Sequence, residues 1–227
     1  MRWPVARPAT APTMSTTFVY IAQGLLVALQ VIAIALPTGF VLGVLLAILR
    51  VYGGAILSAI IGAYSAVMRG LPPIVLLFIL YFGVTRLVNL SALWAGALAL
   101  ALISSAYQLE IFRGAFGAVS GGQMTAARAT GMSRAQAIRY IILPQALRVA
   151  IPPWSNEAAT VIKDSSLVYA LGVPEILRRA QFVSANTREP FIAFGVAALL
   201  YFAMTFSAGR LLDYVERRTA IPGEVSH

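Results

Sequence analysis

The sequence predicts an all-α, polytopic membrane protein with about five transmembrane helices. Of its 227 residues, 59% are hydrophobic and 11% are charged, whereas a soluble domain is about 45–50% apolar and about 25% charged. Its mean hydropathy is +0.83. Apolar runs also recur along the chain at the length of about 20 residues that a helix needs to cross a bilayer.

Five apolar regions are long enough to cross, and two of them contain residues that disturb a helix. The first contains Pro37, which kinks a membrane helix without ending it. The second is interrupted by "MRGLPP", whose two prolines remove backbone donors, so a broken helix is predicted there. The regions are 18–49, 55–84, 93–112, 149–173 and 191–212. Because their number is odd, we expect the two termini on opposite sides of the membrane.

The arginines predict the orientation, because cytoplasmic loops carry an excess of positive charge. With the loop 113–148 in the cytoplasm, nine arginines lie on that side and six on the other. The six are Arg2, Arg7, Arg86, Arg178, Arg179 and Arg188. We therefore expect a multi-pass protein of the plasma (inner) membrane with an external tail 1–17, a membrane domain 18–212 and a cytoplasmic tail 213–227.

Several classes of site are excluded by composition. The chain has no cysteine, and its one histidine is His227, so thiolate metal sites and histidine-dependent triads are not expected. The one lysine, Lys163, follows an isoleucine and cannot complete a phosphate-binding loop. The net charge of +9 arises from arginines between apolar spans, so no nucleic-acid partner is expected. The first 18 residues lack the apolar core of a signal peptide, and Met14 is an alternative start.

The longest loop, 113–148, predicts two short helices joined at a turn. The first, 123–130, is expected to end at Gly131, since glycine adopts the left-handed cap most easily. The second opens at Ser133, which forms a capping box with Gln136, and Pro144 marks its end. Two interpretations remain open: a linker lying on lipid headgroups, or a pair of helices that docks into a partner protein.

The same loop resembles the EAA loop of the membrane subunits of ABC importers. The motif is two alanines, three residues, glycine, nine residues and then I-x-LP: Ala126, Ala127, Gly131, Ile141, Leu143 and Pro144. Other segments are similar to the polar amino acid permeases of that class, over roughly 23–218. They are "RGLPP" (69–73), "AYQLEIFRG" (106–114), "ILPQALR" (142–148), "PPWSNE" (152–157), "KDSSL" (163–167) and "GVPEIL" (172–177).

The resemblance implies a type I importer fold and a transport subunit that is not itself an enzyme. A separate ATPase subunit would bind ATP and Mg and receive the loop helix, so no cofactor is expected in this chain. The further partners implied are an extracytoplasmic binding protein, a second permease subunit, identical or paralogous, and membrane lipid. The family's acidic first loop position is Thr125 here, so docking would depend on packing, helix ends, loop arginines or an acid kept by the partner subunit. The docking residues would be Ala126, Ala127, Gly131, Ser133, Ile141 and Pro144.

Lys163 and Asp164 are charged residues within the fourth apolar region, where an unpaired charge is costly. Adjacent helical residues do not face each other, so each needs its own partner. One interpretation is structural, with ion pairs to Glu110, Glu157 or Arg113, or to a second subunit. The other, which the resemblance favours, is a substrate pathway lined by Lys163, Asp164, Ser165 and Ser166.

Two further residues join this predicted pathway. Glu157 precedes Asp164 by two helical turns and should share its face, and two acids on one wall suit a cationic side chain. Glu157 pairing with Arg148 or Arg113 is the alternative. Arg69 in "MRGLPP" either lines a gate or reaches headgroups beside a simple kink. Resemblance to permeases for histidine, arginine, lysine, ornithine and opines also favours cationic substrates. The specific amino acid stays open.

Two other functions are consistent with parts of the sequence. A secondary amino acid transporter or channel independent of ATP explains Lys163 and Asp164 but leaves the loop motif without a role. A structural membrane subunit explains the loop but not the two charges. The segment 172–190 is expected to form an interfacial helix, which anchors the chain to the membrane or receives a binding protein.

Overall fold

The architecture was analysed on a computed structural model, which describes residues 14–85 and 87–219 and all of their side chains except that of Ser120. Arg2, Arg7 and Arg86, which were counted toward the outer side, lie outside the described residues. The helices are α1 (Met14–Ala22), α2 (Gly24–Tyr52), α3 (Ala55–Gly70), α4 (Pro73–Val84), α5 (Ala92–Ala129), α6 (Arg134–Ala137), a π-helical turn (Ile138–Ile142), α7 (Leu143–Asp164), a 3-10 helix (Ser165–Leu171), α8 (Ile176–Thr187) and α9 (Pro190–Thr219).

Within those residues, three stretches are long and apolar enough to cross a membrane: Met14–Tyr52, Ala92–Val119 and Pro190–Thr219. A fourth is added if α3 and α4 together form one broken span. The predicted span 149–173 does not meet the same criterion. It is divided between α7 and the 3-10 helix, and α7 carries two internal prolines and several charged residues, so it is a polar helix packed largely among apolar ones.

The predicted break in the second span is confirmed, and it is sharp. Helix α3 ends at Gly70, Leu71 and Pro72 are extended, and α4 begins at Pro73. The chain bends by 105° between the two helices. Proline is compatible with the first turn of a helix because the backbone donors there have no intrahelical partner. This corner places the start of α4 beside α5 and α7.

Helices α2 and α5 form the most closely packed pair, because α2 presents small residues to α5. A methyl group added at Gly43 would lie 2.7 Å from Cβ of Gln108, and one at Gly39 would lie 2.9 Å from its Nε2 atom. Small residues allow such close approach between membrane helices. The buried positions of α2 are Gly24, Ala28, Val31, Ala35, Gly39, Gly43 and Ala47.

The long loop differs from the two short helices that were predicted. Its first helix is the end of α5, which runs without interruption for 38 residues. Its second helix does not end at Pro144 but continues through the π-helical turn into α7. Pro144 is the second residue after the π-helical turn, and the widened turn before it accommodates the proline ring without ending the helix.

Helix α8 forms within the segment where an interfacial helix was predicted, and a buried carboxylate caps it. Glu175 accepts hydrogen bonds from the backbone N–H groups of Leu177 and Arg178 and from the hydroxyl of Tyr201 on α9. Burial raises the pKa of the Glu175 carboxyl, and these hydrogen bonds oppose that effect. Glu175 therefore ties α8 to α9.

Candidate functional site: a polar pocket and a coupling turn

A pocket of about 360 Å³ lies between α5, α7 and the start of α4. Glu157 and Asp164 both line it, as their spacing predicts, and none of the described residues that line it is a lysine or arginine. Apolar side chains form most of the remaining wall, together with polar Ser104, Tyr107, Asn156 and Thr160. The pocket is therefore negatively polarised when the two acids are ionised.

Glu157 is buried at the pocket wall and receives one side-chain hydrogen bond, from Ser104. The Ser104 hydroxyl donates to the Glu157 carboxylate at 2.7 Å, and the Gln108 amide donates to the Ser104 oxygen at 2.9 Å. The Trp154 indole N–H donates in turn to the Gln108 carbonyl at 2.7 Å. We call this hydrogen-bonded series the polar chain. It joins α7 to α5 and returns to α7, in the order Trp154, Gln108, Ser104 and Glu157.

Of the predicted pathway residues that follow Glu157, Asp164 lines the pocket, whereas Lys163 and Ser165 do not. Asp164 is half-buried and faces the pocket, whereas Lys163 is exposed and is not among the lining residues. Ser165 is buried and donates to the carbonyl of Ile162, which helps to turn the chain into the 3-10 helix. Lys163 forms no ion pair with any residue in 14–85 or 87–219, so the pairings with Glu110 and Glu157 allowed by the sequence do not occur there.

Arg69 lies in a separate ionic cluster, centred on Glu110. The Glu110 carboxylate accepts hydrogen bonds from Arg50, from Arg113 at 2.7 Å and from the Ser65 hydroxyl at 2.7 Å. An Arg69 nitrogen lies 3.6 Å from the same carboxylate. The predicted Glu110–Arg113 pair is thus confirmed and enlarged. The cluster joins α2, α3 and α5, and Arg69 does not line the pocket.

The turn between α5 and α6 has the backbone geometry that the sequence predicts. Gly131 is left-handed, with φ of +86°. The backbone N–H of Met132 bonds to the carbonyl of Ala127, and that of Gly131 bonds to the carbonyl of Arg128, which is the Schellman pattern. The capping box between Ser133 and Gln136 is also present.

The residues predicted to dock into the ATPase subunit differ in how exposed they are to solvent. Ala126, Gly131, Ser133 and Pro144 are exposed, Ile141 is half-buried, and Ala127 is buried. Thr125 is exposed as well. Behind the turn, buried Ile142 and Ala146 pack with Phe112 and Phe116 of α5. The exposed turn is therefore attached to the body of the protein by a packed apolar contact.

Three residues of the polar chain are absent from the predicted site: Ser104, Gln108 and Trp154. Ser104 and Gln108 are four residues apart in an otherwise apolar span, so they share a helix face. That spacing is a usable signal for a buried polar contact. Its partner, Glu157, is 53 residues from Ser104, and no local pattern identifies it.

A comparison with protein-family models matches residues 39–221 to "Binding-protein-dependent transport system inner membrane component". The chain belongs to this family. It is a membrane-spanning permease subunit, and the predicted all-α fold and family resemblance are confirmed.

Curated relatives agree with this assignment over most of the permease. This chain is 35% identical over 210 residues to the histidine/lysine/arginine/ornithine transport system permease protein HisM of Escherichia coli, and the match covers 88% of each chain. It is 36% identical over 211 residues to the octopine transport system permease protein OccQ of Rhizobium meliloti, covering 87% of this chain and 88% of that one.

Solved structures share the same fold. An amino acid ABC transporter crystallised with histidines has a TM-score of 0.81 and 33% identity, covering 90% of the permease and 96% of that chain. An inward-facing MetNI methionine ABC transporter has a TM-score of 0.79 over 89% and 97% of the two chains. Its identity is 19%, so this second likeness concerns the fold alone.

Proposed function

We propose that this permease is the membrane subunit of an ATP-driven importer for polar, cationic amino acids. The observation that carries the substrate class is the pair of carboxylates, Glu157 and Asp164, on the wall of one pocket. A cationic amino acid carries an ammonium group and a positive side chain, and both are attracted to such a pocket. Relatives named for octopine and for histidine, lysine, arginine and ornithine support the same class.

The proposed coupling uses the exposed turn at Gly131. A separate ATPase subunit, which binds ATP and Mg, receives the turn and moves it when it closes. The motion reaches the pocket because α6, the π-helical turn and α7 form one continuous run from Arg134 to Asp164. Glu157 and Asp164 lie on that run, so a displacement at the turn is transmitted along the pocket wall.

The proposed assembly contains two permease subunits and an external binding protein. Exposed Lys163 beside the pocket is available to a second subunit or to the substrate carboxylate. Orientation follows from the arginines, with the N-terminus outside and the C-terminus cytoplasmic. The Glu110 cluster supports one part of it, since Arg50 near the end of α2 and Arg113 on α5 share a carboxylate and hence one side.

Uptake by an Asp164→Asn variant tests the substrate class. We expect uptake of a cationic amino acid to weaken more than uptake of a neutral polar one, because both carry the ammonium group but only the former also has a positive side chain to lose an ionic contact. Asp213→Asn is the matched control, because Asp213 is exposed on α9 away from the pocket lining. Equal losses for both substrates at Asp164 would remove the charge argument.

Affinity purification of the tagged permease from its host, followed by mass spectrometry, tests the coupling. We expect a phosphate-binding-loop ATPase with wild type and less of it with Gly131→Val, because a β-branched residue is strained at a positive φ. Gly131→Asn is the control, since asparagine tolerates this conformation. Recovery of the chain alone, competent for transport without ATP, would favour a secondary transporter instead.

A further inference from the structure

A second, apolar cavity lies on the opposite side of α7 from the polar pocket. It is a groove of about 580 Å³ between α2, α7 and α9. Apart from the Trp154 indole, Ser207 supplies the one polar side-chain group among the lining residues. The other lining residues include Leu29, Leu36, Ile162, Ala203 and Leu211. Two of its three walls, α2 and α9, belong to stretches that qualify as membrane spans.

The groove runs along the membrane-spanning direction. On α9 its lining extends from Leu200 to Leu212, which is about 18 Å at 1.5 Å per residue. That length is more than half of a hydrocarbon core of about 30 Å. An elongated apolar groove in this position faces hydrocarbon rather than water, and its shape fits a linear chain.

A cation borders one end of the groove. Arg210 does not itself line the groove, but it is exposed on α9 three residues after the lining residue Ser207 and therefore lies next to it on the helix surface. Arginine binds phosphate through paired N–H donors, and long basic side chains near helix ends reach the headgroup level. The groove thus combines an apolar channel with a phosphate-binding group at its end, which are the two chemical parts of a phospholipid.

The wall formed by Trp154 is held in a fixed position. Its indole N–H is bonded to Gln108 at 2.7 Å, and Gln108 is held by Ser104 and by close contact with Gly39 and Gly43 of α2. The ring therefore cannot rotate into the groove without breaking the polar chain. The same residues reach Glu157, so α7 is the common wall of the groove and the polar pocket.

We propose that this groove is a binding site for one acyl chain of an anionic phospholipid, with the lipid phosphate at Arg210 and the chain against Trp154. The site does not depend on which substrate the permease carries. It differs from general contact with the bilayer in two respects. It recruits anionic lipid in preference to zwitterionic lipid, and it is filled by a side chain placed at Ala203.

Fluorescence quenching by brominated lipid tests the site in the purified transporter, reconstituted in phosphatidylcholine with increasing fractions of brominated phosphatidylglycerol. The Trp154 signal is obtained as the difference between wild type and Trp154→Phe, and the Trp94 signal as the difference from Trp94→Phe. Trp94 is the reference because it is half exposed at the start of α5, outside the groove. We expect Trp154 to be quenched at a lower fraction of anionic lipid than Trp94.

Two matched variants separate the parts of the proposal. Ala203→Phe fills the groove and should abolish the excess quenching of Trp154, whereas Ala198→Phe, at an exposed alanine on another face of α9, should retain it. Arg210→Gln should remove the preference for anionic lipid while brominated phosphatidylcholine still quenches Trp154. Parallel quenching of Trp154 and Trp94 would mean bulk contact only and would overturn the proposal. Absence of quenching at Trp154 would overturn it too, because protein, such as a second copy of the chain, would then cover the groove.

Discussion

Two carboxylates in the membrane domain, Glu110 and Glu157, are bonded in very different ways. Glu110 receives hydrogen bonds from Arg50, Arg113 and Ser65, and a further arginine lies 3.6 Å away. Glu157 receives one side-chain hydrogen bond, from a serine, and borders a pocket. A carboxylate oxygen has about two acceptor sites, so Glu110 is largely satisfied within the protein. Glu157 keeps acceptor capacity for a ligand.

The contrast teaches that charge within an apolar span is not by itself a sign of function. Intramembrane charges are functional candidates by default, yet the Glu110 cluster joins three helices and lines no described cavity. The two sites differ in the number of positive side chains that contact the carboxylate. The first has three cations around one carboxylate, whereas no described lysine or arginine forms an ion pair with Glu157.

The largest effect is expected for Glu110→Gln. The substitution leaves three arginines together without their anion, which typically costs 3–5 kcal/mol for a buried pair. We expect a loss of about 3 kcal/mol, at the low end of that range, because Arg69 and Arg113 are partly exposed. Thermal unfolding in detergent measures it. Glu157→Gln is the control and should unfold close to wild type, since an amide also accepts the Ser104 hydrogen bond; equal destabilisation would erase the distinction.

A smaller difference is expected within the Glu110 cluster itself. Arg50 is the most buried of its three cations, with 23% side-chain exposure against 47% for Arg113. Arg50→Gln should therefore lower the free energy of unfolding by about 1.5–3 kcal/mol, as for a buried charged hydrogen bond. Arg113→Gln should lower it by about 0–1 kcal/mol, as for an exposed pair. Unfolding of the two variants in the same detergent decides the point, and the reverse order would contradict the cluster geometry.

A smaller stability effect than for Glu110→Gln or Arg50→Gln is expected in the polar chain. Ser104→Ala removes the donor to Glu157 and leaves the Gln108 amide without its acceptor, at about 1–2 kcal/mol. Ser105→Ala is a matched control, because Ser105 is also buried but bonds to Tyr64 and the Leu102 carbonyl. Both should be destabilised alike, whereas affinity for a cationic amino acid should change for Ser104→Ala alone. A change of affinity for both variants would indicate a general packing effect.

Local patterns predicted the features that depend on neighbours in sequence. The capping box of Ser133 and Gln136, the left-handed Gly131 and the Glu110–Arg113 pair each involve residues within four positions. The shared pocket face of Glu157 and Asp164 also follows from helical spacing. These features are fixed by backbone geometry and need no knowledge of tertiary packing.

The remaining features depend on contacts between distant segments. Arg50 reaches Glu110 across 60 residues, and no periodicity identifies such a partner. The sequence also did not predict that α5 is continuous, because glycines at 114, 117, 121 and 122 lower the helix propensity of that segment. Packing of Phe112 and Phe116 against α7 residues overrides that local preference. The substitution of threonine at the acidic loop position has no structural explanation in the permease alone.

Equilibrium binding of a cationic amino acid to the reconstituted transporter, for wild type and Glu157→Gln, tests the central claim most directly. Loss of one charged hydrogen bond, about 1.5–3 kcal/mol, predicts binding that is about 10- to 150-fold weaker. A neutral polar amino acid, which has the ammonium group but no positive side chain, should lose less affinity. If Glu157→Gln binds the cationic amino acid as tightly as wild type does, the pocket between α5 and α7 is not the substrate site.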